Sequence, residues 1–310
     1  MCRFLSATDV VRVCCANRWL RSLLLSNFRR LPRLACSNLV LQASNGSFKL
    51  VAVESGGKVR VKDKTTPDEL LRFLKHVLPT AITFDGGELG GCRERDALSL
   101  VLSSPPLWRD TQLADVCFYN YGTMSGSDFA VALGQLVDKY ARCMSRLFLE
   151  NVPKSTAAFL NKSTFSQLPP LVELRLFTPF GERYGSVVDG GADGCLVPFC
   201  DECLALPAVS SASRLTLKSC AVTSSGLADF ALRWLGQNEE QQRPPPTELS
   251  TSFCLADAES LARCLANAGL PFKTTRDTPH YKCFEIYSKG ADQLGAERSI
   301  LIISVFLALV

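Results

Sequence analysis

Histidine is nearly absent from this chain: only His76 and His280 occur in 310 residues. Catalysis by a histidine base, whether in a triad or as a lone acid-base group, therefore has few candidates, and neither histidine sits in a nucleophile motif. His76 shares a helical segment with Arg72 and Lys75 and reads as a solvated surface residue. Also missing is an apolar run of membrane-spanning length. The final twelve residues, "SILIISVFLALV", fall short of the roughly 20 that a transmembrane helix needs, and they read as a buried terminal strand. Acidic residues are scarce at one end, where Met1 to Leu34 hold seven arginines and a single acid, Asp9. Since the whole chain is +4, everything after Leu34 is about −2, and no Lys/Arg run interleaved with aromatics occurs there. Neither a nucleic-acid nor a membrane partner is expected, and Asp9 and Arg12 interrupt the apolar run that a signal peptide needs.

Cysteine, by contrast, is plentiful. Fourteen are spread along the chain, mostly within apolar segments, as Cys14, Cys15, Cys117, Cys143, Cys220 and Cys264 are. Such cysteines behave as small buried hydrophobes, which suggests a reducing compartment, cytoplasm or nucleus, rather than a disulfide framework.

After residue 35 one short pattern recurs, an apolar pair separated by one residue and followed by a polar residue. It appears in "NLVLQ", "AITFDG", "DVCFYN", "RLFLEN", "ELRLFT" and "RLTLKS", and more weakly in "ELSTSF". Period-two alternation predicts strands beginning at Leu39, Ile82, Val116, Leu147, Leu174, Leu215 and Leu249, with spacings of 43, 34, 31, 27, 41 and 34 residues. Helical segments lie between them. "TPDELLRFLKHVLP" offers Thr66 as N-cap, Pro67 at the first helical position, Glu69 three residues after the cap, and a stripe running through Val77 and Leu78 to a stop at Pro79. "SDFAVALGQLVDKYA" and "SSGLADFALRWLGQ" carry apolar faces at helical spacing. "FKLVAVESGGKVRVKD" reads as a hairpin turning at Gly56-Gly57, and "PFKTTRDTPHYKCFEIYSKG" contains a second. The polar stretch Gln237 to Glu248, with three prolines, reads as a loop.

Alternating strands and helices define an α/β class. Within it, "ASRLTLKSC" and "LVELRLFTP" fit the spacing L-x-x-L-x-L-x-x-(N/C) apart from Pro179, and "LADVCFYNY" fits loosely. An irregular solenoid of the leucine-rich-repeat kind over residues 35–310, preceded by a short helical segment over 1–34, is expected.

Motifs for enzyme chemistry are weak. In "FDGGELGGCRERD" Gly86 and Gly91 have P-loop spacing, but Cys92 stands where the phosphate-binding lysine belongs and Arg93 where magnesium would be held. Cys195, Cys200 and Cys203, with His280 and Cys283, form a C-x-x-C and H-x-x-C combination that could ligate zinc, although the two pairs are far apart in sequence and buried cysteines explain the first as well. No cofactor is expected.

The opening "FLSATDVVRVCCANRWLRSL" reads as two short helices. Leu5, Ser6, Asp9, Val13, Cys14, Arg18 and Trp19 make it resemble the later part of an F-box; the opening leucine-proline-x-glutamate helix of that pattern is not among these residues. "LKSCAVTSSGLADFALRWLGQ" with "YKCFEIYSKGADQLGAERSI" is similar to F-box-associated domains of the second type. The resemblance implies no enzyme but a substrate-recognition adaptor of a cullin ubiquitin ligase. In that reading Leu5, Val10, Val13, Trp19 and Leu20 are divided between a small core and the interface with a Skp-type linker, and the repeats hold a protein substrate. Two alternatives stand beside it: a repeat-type interaction module without ligase recruitment, and a zinc- or thiol-dependent enzyme.

If the paired apolar residues face inward, the residues between and after them share the opposite face. Thr83, Cys117, Phe148, Arg175 and Thr216 then form one row beginning with Val40, and Asp85, Tyr119, Glu150, Phe177 and Lys218 a second beginning with Gln42. These ten residues after Val40 and Gln42 are the expected substrate surface.

Overall fold

A computed structural model describes residues 33–44, 47–86, 97–104, 113–121, 125–151, 157–177, 196–240, 247–252, 254–278, 281–287 and 300–306. The F-box-like segment, with Leu5, Val10, Val13, Trp19 and Leu20, lies outside them, as do Cys195, His280 and most of the glycine-rich stretch after Gly86. The described residues belong to an α/β protein and fall into two compact units. One comprises the residues through Val116 with Gln135–Cys143; the other comprises Cys117–Gly134 and the residues from Met144 onward.

The first unit contains β1 (Leu34–Ser44), β2 (Ser47–Glu54), β3 (Val59–Thr65), α1 (Pro67–Leu74), β4 (Val77–Pro79), β5 (Ala81–Asp85) and α2 (Ala97–Ser103). Its strands run in the order β5-β1-β2-β3, with β4 also paired to β1. β1, β2 and β3 are antiparallel neighbours, whereas β4 and β5 are parallel to β1, with Leu39 opposite Ile82. The β2–β3 hairpin turns where expected, at Gly57, whose positive φ is a left-handed conformation that suits a residue without a Cβ.

α1 starts as the sequence predicts. Thr66 Oγ1 accepts from the Glu69 N–H at 3.3 Å, and Glu69 Oε2 accepts from the Thr66 N–H at 3.1 Å. The same pairing, with Lys62 beside it, holds the Glu69 carboxyl below its ordinary range. The helix ends earlier than the apolar stripe implied. Val77 and Leu78 belong to β4, because the chain after Lys75 turns to pair with Leu34 and Ala35 of β1. His76 precedes this strand and is part-buried rather than solvated; desolvation first, then Arg33 and Lys75, lowers its pKa.

β6 (Asp115–Tyr119) and α3 (Gly126–Tyr140) carry residues of both units. The second unit continues with β7 (Arg146–Glu150), α4 (Lys162–Phe165), β8 (Glu173–Phe177), β9 (Val197–Cys200), α5 (Asp201–Leu204), α6 (Pro207–Ser210), β10 (Arg214–Lys218), β11 (Cys220–Ala221), α7 (Ser224–Glu240), β12 (Thr247–Ser252), α8 (Ala258–Asn267), β13 (Phe272–Thr278), β14 (Tyr281–Tyr287) and β15 (Ile300–Phe306). Its main sheet has the order β7-β8-β10-β12-β15-β14-β13, and β9 pairs with β11 in a small separate sheet. β7, β8, β10, β12 and β15 are all parallel, and β14 and β13 close the sheet as the expected antiparallel hairpin. The apolar terminal run therefore supplies an inner strand, which explains why Leu301, Ile303 and Val305 are buried.

All seven expected strands form, and their paired apolar residues share one face. Leu147, Leu149, Leu174, Leu176, Leu215, Leu217 and Leu249 are buried, as are Leu227, Phe230, Ala231 and Trp234 of α7 and Leu261 and Leu265 of α8. At about 25 cal/mol per Å² of apolar area, such residues are the main source of stability. α7 runs three residues past Gln237 into the stretch expected to be a loop, and Thr247 already belongs to β12. The strand position of Thr247 lets it accept a buried hydrogen bond from Trp234 Nε1, 2.9 Å away.

Three strands end in the same way. Asn120, Asn151 and Ser219, each immediately after β6, β7 or β10, all have a positive φ, a left-handed conformation for which asparagine is among the tolerated types. The Asn120 N–H donates to Glu150 O on β7, and the Ser219 N–H donates to Ser252 O on β12.

Candidate functional site

The opposite face of the second unit's sheet carries the side chains that the alternation leaves over. Phe148 of β7 lies directly across from Arg175 of β8, which lies across from Thr216 of β10. One residue pair further along, Glu150 faces Phe177. The Arg175 guanidinium carbon stands 4.8 Å from the centroid of the Phe148 ring, and Lys218 Nζ stands 4.0 Å from that of Phe177. Both separations are within cation–π range. Two aromatic–cation pairs thus lie on successive strands.

A third row precedes these, at the amino ends of the strands. Register places Arg146 beside Glu173, Glu173 beside Arg214, and Arg214 beside Glu248. Glu173 accepts from Arg175 Nε at 2.8 Å and pairs with Arg175 Nη2 at 2.7 Å and Arg214 Nη1 at 3.8 Å, while Arg214 Nε reaches Glu248 Oε2 at 3.3 Å. The Glu173 side chain is only 9% exposed, so Arg175 is held by a carboxylate that is itself nearly enclosed. Removing that carboxylate would leave the guanidinium free to leave the Phe148 ring. These charged residues border a cavity of about 470 Å³ that includes Ser145, Val172 and Ser213.

The expected substrate residues are only partly brought together. Phe148, Glu150, Arg175, Phe177, Thr216 and Lys218 share this face, with Cys117 and Tyr119 on β6 in the same unit. Thr83 and Asp85 belong to β5 of the first unit, where Asp85 Oδ2 accepts from Gln42 Nε2 at 3.0 Å. Lys218 is 5% exposed, because its aliphatic stem and ammonium lie against its neighbours and the Phe177 ring. Phe148 and Phe177 are part-buried, and Tyr119 is the most open of these three at 36%. The charged row of Arg146, Glu173, Arg214 and Glu248 was missed, although the same alternation rule carried two residues earlier on each strand would have found it.

The zinc constellation does not assemble among the described residues. Cys200 and Cys203 lie at the end of β9 and in α5, Cys283 lies in β14, and no group of three or more His, Cys, Asp or Glu side chains there could hold a metal ion. Burial pushes the Cys203 thiol up to about 12, which makes it a poor nucleophile or ligand. The described cysteines are free thiols. No described helix is long and apolar enough to cross a membrane.

No family model matches the chain, and neither a curated protein nor a solved structure matches it.

Proposed function

We propose that this chain is a protein-binding adaptor, the substrate-recognition subunit of a cullin ubiquitin ligase working in the cytoplasm or nucleus. Its N-terminal segment docks on a Skp-type linker, and the polar face of the sheet in the second unit captures a protein substrate. The chain itself performs no catalysis and takes no cofactor. The observation that carries the reading is the pair of aromatic–cation contacts, Phe148 with Arg175 and Phe177 with Lys218, set beside an alternating charged row and a cavity. Aromatic residues and arginine are the types that dominate binding energy at protein interfaces. A repeat-like origin of the face is supported by the shared left-handed ends of β6, β7 and β10. The ligase half of the proposal rests on the resemblance of residues 1–34 to an F-box and of the later segments to F-box-associated domains.

One reconstitution tests both halves. The purified chain should bind a purified Skp-type linker, and Val10→Asp with Trp19→Ala should weaken that binding by about 2–4 kcal/mol, roughly 30- to 1000-fold. Failure of the folded, unaltered chain to bind would reject ligase recruitment. Phe148→Ala with Arg175→Ala should leave linker affinity unchanged and the chain folded, with a melting temperature lowered only by the loss of the Glu173 ion pair, while reducing ubiquitylation of the proteins that the unaltered ligase modifies. Collapse of the fold in that variant would instead assign these residues to the core.

A further inference from the structure

Two cysteines sit where the partner-binding face meets the carboxyl ends of its strands, and neither was part of the zinc constellation. Lys218 of β10 lies opposite Ser252 of β12, and two residues beyond each stands a cysteine, Cys220 and Cys254. Both thiols turn back onto these strand ends. Cys220 Sγ lies 3.5 Å from Lys218 O; Cys254 Sγ lies 3.5 Å from Ser252 O and 3.7 Å from Leu217 O. Between them Ser219, in its left-handed conformation, donates its N–H to Ser252 O at 2.9 Å and so binds the two strand ends together.

The two thiols are therefore neighbours, and Cys220 can turn its S–H from the Lys218 carbonyl to an ionised Cys254, which separates their chemistry. Cys220 is fully buried, and desolvation pushes its thiol well above the ordinary range. Cys254 is partly exposed, and the hydrogen bond from Cys220 lowers its pKa. Such a pair has an accessible attacking thiol and an adjacent resolving one. Cys200 and Cys203 form a comparable pair, one partly exposed and one buried with its thiol raised, but they lie at the start of α5 and off the strands of this face, while the exposed Cys143 belongs to the other unit.

We propose that Cys220 and Cys254 are a redox-responsive dithiol that closes to a disulfide across the ends of β10 and β12. The oxidant is a small-molecule disulfide of the glutathione class. The Cys254 thiolate attacks one sulfur of oxidised glutathione, forming a mixed disulfide and expelling one glutathione thiolate. Cys220 then gives its proton to that thiolate, attacks Cys254 Sγ and expels the second glutathione. The protein pair loses two electrons and two protons, and one glutathione disulfide becomes two glutathiones. Closure removes the S–H donors from the carbonyls of Lys218, Leu217 and Ser252, so it reorganises the backbone that carries the Lys218–Phe177 contact. The inference rests on the cysteine geometry and is independent of the partner proposed above.

The test incubates the full-length chain with oxidised glutathione under native conditions and then counts thiols and maps cross-linked peptides. The count should fall by about two from fourteen, with one Cys220–Cys254 cross-link that dithiothreitol reverses. Cys220→Ser should instead accumulate glutathione on Cys254. Because Cys220 is buried and its variant could fail to fold, Cys254→Ser provides the second arm, and it should abolish the cross-link and leave Cys220 unmodified. Stable glutathione on Cys254 of the unaltered chain, a cross-link from Cys254 to another cysteine, or no loss of either thiol would each overturn the proposal.

Discussion

Gly226→Ala is expected to destabilise the second unit by about 2–3 kcal/mol, although alanine is ordinarily the better helix former by about 1 kcal/mol. Gly226 lies in the first turn of α7, and a Cβ built there would overlap the carboxylate of Asp201. That carboxylate cannot swing aside cheaply. Its Oδ1 accepts from the Thr223 N–H at 2.9 Å and its Oδ2 from the Thr223 hydroxyl at 2.7 Å, while Thr223 Oγ1 in turn accepts from the Gly226 N–H at 3.1 Å. The added methyl must either break this relay or push α7 away from α5, and the overlap outweighs the gain in helix propensity. Urea denaturation measures the loss, and a double-mutant cycle identifies its cause. In an Asp201→Ala background the same substitution should be neutral or stabilising; an undiminished loss there would mean that Asp201 is not what the methyl meets.

Phe129→Ala should cost about 3–5 kcal/mol and lower the melting temperature by about 10 °C or more. Phe129 is completely buried, with its ring centroid 5.0 Å from that of Phe118 and 5.7 Å from that of Tyr121; Phe118 and Tyr121 are 5.3 Å apart. Edge-to-face pairs such as Phe118–Phe129, at 81°, add about 0.5–1.5 kcal/mol beyond buried area, so truncation removes packing and leaves a cavity. Phe148→Ala, on the other face, should cost clearly less, about 1 kcal/mol, since a part-buried ring under a guanidinium contributes mostly through that contact. Thermal melts of the two variants side by side read out which face is core. Equal losses would mean that Phe148 is core as well, and the proposed binding surface would fall.

How far such contrasts could be read beforehand depends on the range of the interactions concerned. The strand beginning at Leu147 was legible because its burial alternates every second residue, and a side chain two positions away necessarily shares its face. α1 was legible at its start, where Thr66 and Glu69 satisfy each other three residues apart, and not at its end, where pairing of Val77 with Leu34, 43 positions earlier, overrode the apolar stripe. Lys218 was expected in the open row and is there by position, yet it is enclosed, because its nearest ring, Phe177, comes from a strand about 40 residues earlier in the chain. The contact of Cys220 with Cys254 had no local signal. It arises only because β10 and β12 pair in parallel and in that register.

By itself, then, the sequence determined the α/β class, the seven apolar strand cores, the hairpin at Gly57 and the capped start of α1, all of which depend on periodicities and contacts within a few residues. Tertiary structure alone decided the rest: the insertion of β15 between β12 and β14, the meeting of Arg175 with Phe148 and of Arg214 with Glu173, and the juxtaposition of the two thiols. Those arrangements follow from strand order and register, which join residues tens of positions apart and which a one-residue slip would turn to the other face.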